Sequence, residues 1–148
     1  TLGHSVGSVC HVPHGTCMAI LLPYGLEYNF HKIEKELSEL LYLFVGDRIY
    51  SDTLYELRAE KTIECIRELN ASLYQATGGR HFRFLKEITD HEGNMMVPEE
   101  KLEEIARTAL GDGSLFYNPE ELDFDDCMMV LKAAWEGEKL DRNRVKKG

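Results

Sequence analysis

The first 29 residues almost lack charge. The chain holds 26 acidic and 17 basic residues, but only Glu27 falls within residues 1–29. A stretch so poor in charge is unsuited to face water along its whole length, so we expect it to lie in the interior. Three of the six histidines, His4, His11 and His14, occur in this stretch. They are therefore the first candidates for chemistry.

The cysteines lack any paired spacing. The four cysteines are scattered without a Cys-x-x-Cys pair, which argues against a disulfide framework and favours a reducing compartment. A Cys/His zinc site that includes Cys10 and Cys17 is a poor fit for the same reason. The chain also shows no signal-like opening segment and no apolar run near the ~18–20 residues needed to cross a bilayer. We therefore predict a cytoplasmic protein with no membrane partner.

An excess of basic charge is also missing. The formal net charge is −9, whereas non-specific binding to nucleic acid needs a basic face, so we expect no nucleic-acid partner. With 148 residues, 43% of them hydrophobic, the chain has the size of one domain with a real core. It begins without methionine in the middle of an apolar pattern, which we interpret as the sign of a piece of a longer protein.

Strand-like alternation is absent, and apolar residues recur at helical spacing instead. Thr16 is expected to cap a helix that Pro23 kinks, because the proline ring collides with the carbonyl of Ala19. The six predicted helices are residues 16–29, residues 31–45, a long helix capped by Ser51-Asp52 and ended by Gly78-Gly79, residues 82–89, a helix from Pro98 to Gly111, and a last helix from Asp123 to Gly137.

The sequence thus predicts an all-α, bundle-like domain of about six helices. Gly46-Asp47 interrupts the second helical pattern, and Asn118-Pro119 forms the turn of a loop over residues 111–121. We expect the helical domain to occupy residues 1–137, followed by a charged, frayed tail over residues 138–148.

His4, His11 and His14 admit two interpretations. Imidazole is a suitable ligand for Zn, Fe, Cu and Ni, so three imidazoles in an apolar stretch favour a metal site. Their spacing of seven and three residues differs from the His-Glu-x-x-His helix motif, and core histidines with satisfied hydrogen bonds explain them equally. The other three histidines, His31, His81 and His91, lie in polar surroundings where we expect solvent exposure.

Residues 4–29 carry several short motifs at fixed offsets. They are His4-x-x-Gly7, Pro13-His14-Gly15, Ala19-Ile-Leu-Leu-Pro23 and a closing Asn29. In these motifs the chain resembles the iron-containing (group III) alcohol dehydrogenase family. The later helices and the Asn118-Pro119 turn are similar to the carboxy-terminal helical domain of that family.

The resemblance implies a metal-dependent oxidoreductase. His14 would be a ligand of iron, with zinc as the alternative metal, and His4 would stand beside the nicotinamide ring and help relay the proton of the alcohol. The full-length enzyme would transfer a hydride between an alcohol or aldehyde substrate and NAD or NADP, with the metal polarising the substrate oxygen. A homo-oligomer is the expected assembly.

The resemblance also implies groups that precede Thr1. These are an amino-terminal nucleotide-binding domain with a glycine-rich loop, an aspartate and a histidine ligand, and a further histidine ligand one residue ahead of Thr1. A catalytic metal site needs roughly three protein ligands, and His14 alone cannot hold the ion. We therefore expect the isolated chain to be inactive and to bind metal weakly.

Two other functions remain open. Residues 2–7, Leu-Gly-His-Ser-Val-Gly, faintly resemble the Gly-His-Thr-x-Gly-His of dehydroquinate synthase, in the branch that includes glycerol dehydrogenase, although residues 16–23 do not fit that branch. The alternative of another class is a non-catalytic helical module that binds a partner through its apolar end.

Overall fold

Six α-helices build the structure, a computed structural model that describes residues 1–146. In chain order they are α1 Leu2–Cys10, α2 His14–Tyr28, α3 Phe30–Asp52, α4 Tyr55–Ala76, α5 Leu102–Leu110 and α6 Phe124–Glu136, with short 3-10 turns at Leu85–Glu87, Glu99–Lys101, Gly113–Tyr117 and Arg142–Arg144. The described residues contain no strand, only one isolated bridge between Thr89 and Met95. The predicted all-α class is confirmed. None of the helices in this part of the chain has the length and apolar character of a membrane span.

The main core lies between α1, α2, α5 and α6. Helix α2 supplies the large buried side chains Ile20, Tyr24 and Tyr28, and they pack with residues of the other three helices such as Ile105 and Leu131. The 3-10 turn Leu85–Glu87 closes one side of the cluster with Leu85. Helix α2 thus runs through the middle of the domain, and its first turn reaches the surface.

Helices α3 and α4 form an antiparallel hairpin beside this core. Leu37, Ala59 and Ile63 make a small second cluster, and the Thr62 hydroxyl donates a hydrogen bond to the carbonyl of Leu37 across 2.7 Å. The predicted interruption at Gly46 is confirmed: its backbone has φ 74° and ψ 175°, after which helical structure resumes up to Asp52.

The predictions made from cap chemistry at the end of the chain are also confirmed. Asp123 accepts a hydrogen bond from the backbone of Asp126, whose side chain accepts one from the backbone of Asp123. This reciprocal capping box begins α6, and Gly137 ends it in the left-handed conformation with φ 86°. Gly111 likewise follows the last residue of α5.

Three predicted helix starts or segments are wrong. Helix α2 begins at His14 instead of residue 16, because the carbonyl of Pro13 already accepts bonds from the next turn. Helix α4 begins at Tyr55, since Ser51-Asp52 belong to the end of α3. Residues 82–89 form only the turn Leu85–Glu87, because the Glu87 carboxylate accepts bonds from the backbone and guanidinium of Arg83 and draws the chain out of a longer helix.

The tail also differs from the expectation. Leu140 and Val145 are buried and belong to the main core, and the backbone N–H of Leu140 donates to the Glu27 carboxylate across 3.0 Å. Residues 138–146 are therefore packed on the domain and not frayed. The last two residues of the predicted tail lie outside the described residues, and the domain boundary at residue 137 stays a prediction.

Candidate active site at the first two helices

The charge-poor stretch is interior on one side only. Val6, Cys17 and Ile20 are fully buried, as expected, but His4, His11 and His14 are all exposed. The expectation that these histidines lie in the interior is therefore wrong. The reason is geometric: α1 and the first turn of α2 present one face to the core, His4 and His14 fall on the other face, and His11 lies in the turn between the two helices.

His4 and His14 come together at the surface. The turn between α1 and α2 brings the two imidazole rings to a centroid distance of 5.2 Å with an interplanar angle of 28°. Gly7 allows the turn to close, because a Cβ there would lie 3.2 Å from the carbonyl oxygen of Val12. The signature spacing thus produces a stacked pair of imidazoles.

A third residue, Asp112, completes the cluster and was not identified from the sequence. Its Oδ2 lies 2.9 Å from Nδ1 of His4, and its Oδ1 accepts a hydrogen bond from the backbone N–H of Ser114 across 2.9 Å. Together the two bonds lower the pKa of Asp112 to about 2, and the bond from the Ser114 backbone has the larger effect. The only signal in the sequence was the Gly111-Asp112-Gly113 break after α5.

The imidazole of His14 keeps its ring nitrogens free of the protein. It contacts the ring of His4, and it makes no hydrogen bond to any residue in the described range. Imidazole nitrogens are suitable ligands for iron or zinc. However, residues 1–146 contain no group of three or more His, Cys, Asp or Glu side chains that could hold a metal ion. These residues therefore fit one ligand of a metal site and cannot complete it.

The other histidines and cysteines lie elsewhere. His11 lines a separate cavity of about 310 Å³ that also holds His91. Burial raises the pKa of Cys10, and raises that of Cys17 to about 11, so both thiols are packing groups that stay protonated at neutral pH. No zinc site forms from them within the described residues.

Two of the three histidines predicted to be exposed are partly buried. His31 Nε2 lies 2.5 Å from the buried Glu120 carboxylate, and His81 Nε2 lies 3.1 Å from the side-chain oxygen of Asn70. Of these three histidines, only His91 is exposed, as predicted. The polarity of the neighbouring sequence did not predict this burial, because the partners Glu120 and Asn70 lie on other parts of the fold than His31 and His81.

A cavity of about 490 Å³ begins at His4 and follows one side of α2. Its wall is apolar, with Met18, Leu22 and Leu26 in a row one helical turn apart. Ser114 and Tyr117 of the 3-10 turn after Asp112 also line the cavity. The imidazole of His4 therefore borders a space with an apolar wall and a few polar groups, which is typical of a small-molecule site.

Asn29, which closes the signature, holds the far end of this cavity. Its side-chain amide exchanges two hydrogen bonds with that of Asn118, at 3.0 and 2.9 Å, and its oxygen also accepts from the backbone N–H of Glu120 across 3.1 Å. The Asn118-Pro119 turn is thereby fixed against the end of α2. The first and last residues of the motif thus shape one cleft.

Comparisons with known proteins identify the family to which the chain is similar. The family model for the C-terminal part of the Fe-containing alcohol dehydrogenase family matches residues 1–135. Similar proteins include an NADPH-dependent butanol dehydrogenase of Clostridium saccharobutylicum, 28% identical over 95% of this chain and 33% of the relative. Alcohol dehydrogenase 4 of Saccharomyces cerevisiae is 28% identical over 91% of this chain and 30% of its own length. Lactaldehyde reductase of Escherichia coli strain K12 is 25% identical over 90% of this chain and 31% of its own length.

The chain spans about a third of the length of these curated relatives. No solved structure gives a significant match to it.

Proposed function

The chain belongs to the iron-containing alcohol dehydrogenase family, and from this premise we propose that it is the C-terminal part of a metal-dependent enzyme. The reaction is the reversible transfer of a hydride between an alcohol and NAD or NADP. The observation that carries the proposal is the stacked pair of His4 and His14, with ring centroids 5.2 Å apart, in which His4 also lines the cavity of about 490 Å³. By resemblance, both correspond to histidine positions of the family signature.

His14 is the residue that would hold the ion. Its free ring nitrogens and its exposed position at the start of α2 fit an imidazole ligand of iron, or of zinc. When bound, the ion supplies a Lewis acid that lowers the pKa of the alcohol and polarises the carbonyl in the reverse direction. Because His14 is one ligand, the remaining ligands belong to protein outside residues 1–146.

His4 is the residue that would meet the reacting end of the substrate and cofactor. Its ring is half exposed and lines the cavity next to His14. An imidazole in this position can take the hydroxyl proton of the alcohol when the hydride leaves its carbon. The apolar wall of Met18, Leu22 and Leu26 suits the carbon chain of an alcohol or aldehyde.

The relatives support the broader parts of the proposal. Their names include a butanol dehydrogenase, an alcohol dehydrogenase and a lactaldehyde reductase, one of them NADPH-dependent. We propose the same substrate class for this chain, a nucleotide-binding domain ahead of it, a homo-oligomeric assembly and a cytoplasmic location. The free state of all four cysteines is consistent with that location.

The family match favours this proposal over the branch of dehydroquinate synthase and glycerol dehydrogenase. A non-catalytic module remains the second candidate, because Phe116 and Tyr117 are almost fully exposed beside the cavity, as on a protein-binding surface. Sedimentation of the 148-residue chain separates the two. A module sediments as one well-behaved species, whereas the exposed apolar surface of a part of an enzyme leads to self-association.

The coding sequence that precedes Thr1 tests the proposed function. We expect a glycine-rich phosphate loop, an Asp-x-x-x-His helix and a histidine immediately before Thr1. We also expect the 148-residue chain alone to show no NAD(P)-linked turnover of alcohols and only weak metal binding. An upstream sequence without any of these three features, or tight stoichiometric metal in the isolated chain, would refute the proposal.

A further inference from the structure

We propose that Asp112 is a positioning residue for His4: its carboxylate holds the imidazole with the proton on Nδ1 and leaves Nε2 as the free acceptor. The catalytic consequence rests on the proposed function. The tautomer itself does not, and it can be measured in a protein without activity.

The first step is the anchoring of the carboxylate. Asp112 is the residue before the 3-10 turn Gly113–Tyr117, and its Oδ1 accepts the backbone N–H of Ser114 across 2.9 Å. The hydroxyl of Ser114 is in turn bonded to that of Thr1 across 2.8 Å. One carboxylate oxygen is therefore occupied by the backbone, and the other, Oδ2, points to His4 across 2.9 Å.

The second step is the direction of the hydrogen bond. The backbone bond from Ser114 and the contact with His4 hold the pKa of Asp112 near 2, so the group is an anion at neutral pH. A carboxylate only accepts hydrogen bonds. Nδ1 of His4 must therefore carry the hydrogen, and in the neutral ring Nε2 then carries a lone pair. An isolated neutral histidine side chain prefers the opposite tautomer, so Asp112 imposes an arrangement that His4 would not adopt by itself.

The third step is the chemical use of this arrangement. When an alcohol hydroxyl meets Nε2, its O–H bond would break and an N–H bond would form on the ring, while the electron pair left on the oxygen would form the carbonyl as the hydride passes from the carbon to NAD or NADP. The ring then carries a positive charge that faces the Asp112 carboxylate at 2.9 Å. The contact with the ring of His14, 5.2 Å between centroids, limits rotation of the imidazole. Asp112 thus orients the acceptor and stabilises the charge without touching the substrate.

The variant Asp112→Asn tests the proposal because it should reverse the tautomer. The amide oxygen of the asparagine is expected to keep the bond from the Ser114 backbone, which turns the amide N–H₂ toward His4. That group donates, so Nδ1 must accept and the proton moves to Nε2. The shape of the side chain is conserved, and the backbone spectrum of the variant verifies that the fold is retained.

The readout is the pair of ring nitrogen shifts of His4 in chain labelled with 15N-histidine, assigned with His4→Gln. We expect Nδ1 to be protonated in the natural chain and Nε2 to be protonated in Asp112→Asn. Asp112→Ala, which removes the acceptor without adding a donor, should return His4 to the tautomer preference of a free histidine side chain. The matched control is Asp90→Asn, since Asp90 also accepts backbone bonds in an exposed turn but has no contact with His4. It should leave the His4 shifts unchanged.

Activity of the enzyme that contains the chain supplies the second readout. Asp112→Asn should lower kcat by about 10²-fold or more, the range of general acid–base effects, with the KM for the cofactor nearly unchanged. A natural chain with the proton of His4 on Nε2, or an Asp112→Asn variant with an unchanged tautomer or unchanged kcat, overturns the inference. If no alcohol is turned over by the natural enzyme while the tautomer reverses as expected, the proposed function fails and the positioning by Asp112 stands.

Discussion

The side-chain amide of Asn70 donates a hydrogen bond to the carbonyl oxygen of Ala19 across 3.0 Å. Ala19 lies four residues before Pro23, which has no N–H to give to this carbonyl. A residue of α4 therefore replaces the backbone donor that the proline removes from α2. This bond connects the central helix that carries the signature to the hairpin beside it.

Replacement of Asn70 by alanine should leave the Ala19 carbonyl without its donor. We predict that Asn70→Ala lowers the free energy of unfolding by about 1–2 kcal/mol, the usual cost of a partly buried unpaired acceptor. In a Pro23→Ala background the alanine restores the backbone N–H, so the same change at Asn70 should cost clearly less. Urea denaturation of the four proteins gives this coupling. Equal losses of unfolding free energy in both backgrounds would mean that Asn70 does not stabilise the fold through its bond to the carbonyl of Ala19. The control is Asn143→Ala, at an exposed position.

The buried carboxylate of Glu27 makes a second connection between distant parts of the chain. It is only 4% exposed, and it accepts bonds from the Arg67 guanidinium at 2.8 Å and from the backbone of Leu140 at 3.0 Å. Glu27→Gln leaves the Arg67 charge unpaired, and we predict a loss of about 3 kcal/mol in the free energy of unfolding. Amide exchange at Leu140 should accelerate in the same variant, because its acceptor is weakened.

The control for this prediction is the exposed pair of Lys101 and Glu104, 2.7 Å apart on α5 and the turn before it. Glu104→Gln should leave the free energy of unfolding almost unchanged, because exposed ion pairs contribute little. Similar losses of unfolding free energy for Glu27→Gln and Glu104→Gln would show that the buried pair of Glu27 and Arg67 stabilises the fold no more than an exposed pair does.

The N-cap of α6 should make stability depend on pH in the acid range. Lys146 and the backbone of Asp126 lower the pKa of Asp123 to about 2, whereas an aspartate in the unfolded chain has a pKa of about 3.9. A carboxyl with a lowered folded pKa stabilises the fold fully above its unfolded pKa. This contribution is lost as the pH falls from about 4 through about 2.

Asp123→Asn keeps a good N-cap and removes the titration. We predict a natural chain that is more stable than the variant at pH 5, with a difference that shrinks steadily between about pH 4 and pH 2. Urea midpoints measured across this range provide the comparison. A difference that stays constant down to pH 2 would contradict the assignment of the low pKa to Asp123.

Much of the fold could be predicted from local chemistry. Asp123 and Gly137 bracket α6 as predicted, because a capping box and a left-handed glycine act within a few residues of the chain. The segment over residues 82–89 could not be predicted in the same way. There Arg83 and Glu87 compete with helical hydrogen bonds, and Leu85 is held by the core.

The candidate site could likewise be predicted only where it depends on residues close together in the chain. The signature spacing identified His4 and His14, but whether the two rings meet depends on how the turn between α1 and α2 closes. Asp112 lies 108 residues from His4 in the chain, and no short-range pattern connects them. The exposure of these histidines also escaped prediction, because a charge-poor sequence does not tell which face of a helix the rest of the domain covers.

The most direct test of the central claim, that His14 is a metal ligand of an alcohol-oxidising enzyme, is the metal content of that enzyme with and without the His14→Ala substitution. We predict about one iron or zinc ion per subunit of the unsubstituted full-length enzyme. The variant should lose the metal and lower NAD(P)-linked alcohol turnover by at least about 10²-fold, and its circular dichroism should be unchanged because His14 is exposed and bonded to no other residue in the described range. A His14→Ala enzyme that retains its metal and its turnover would contradict the account.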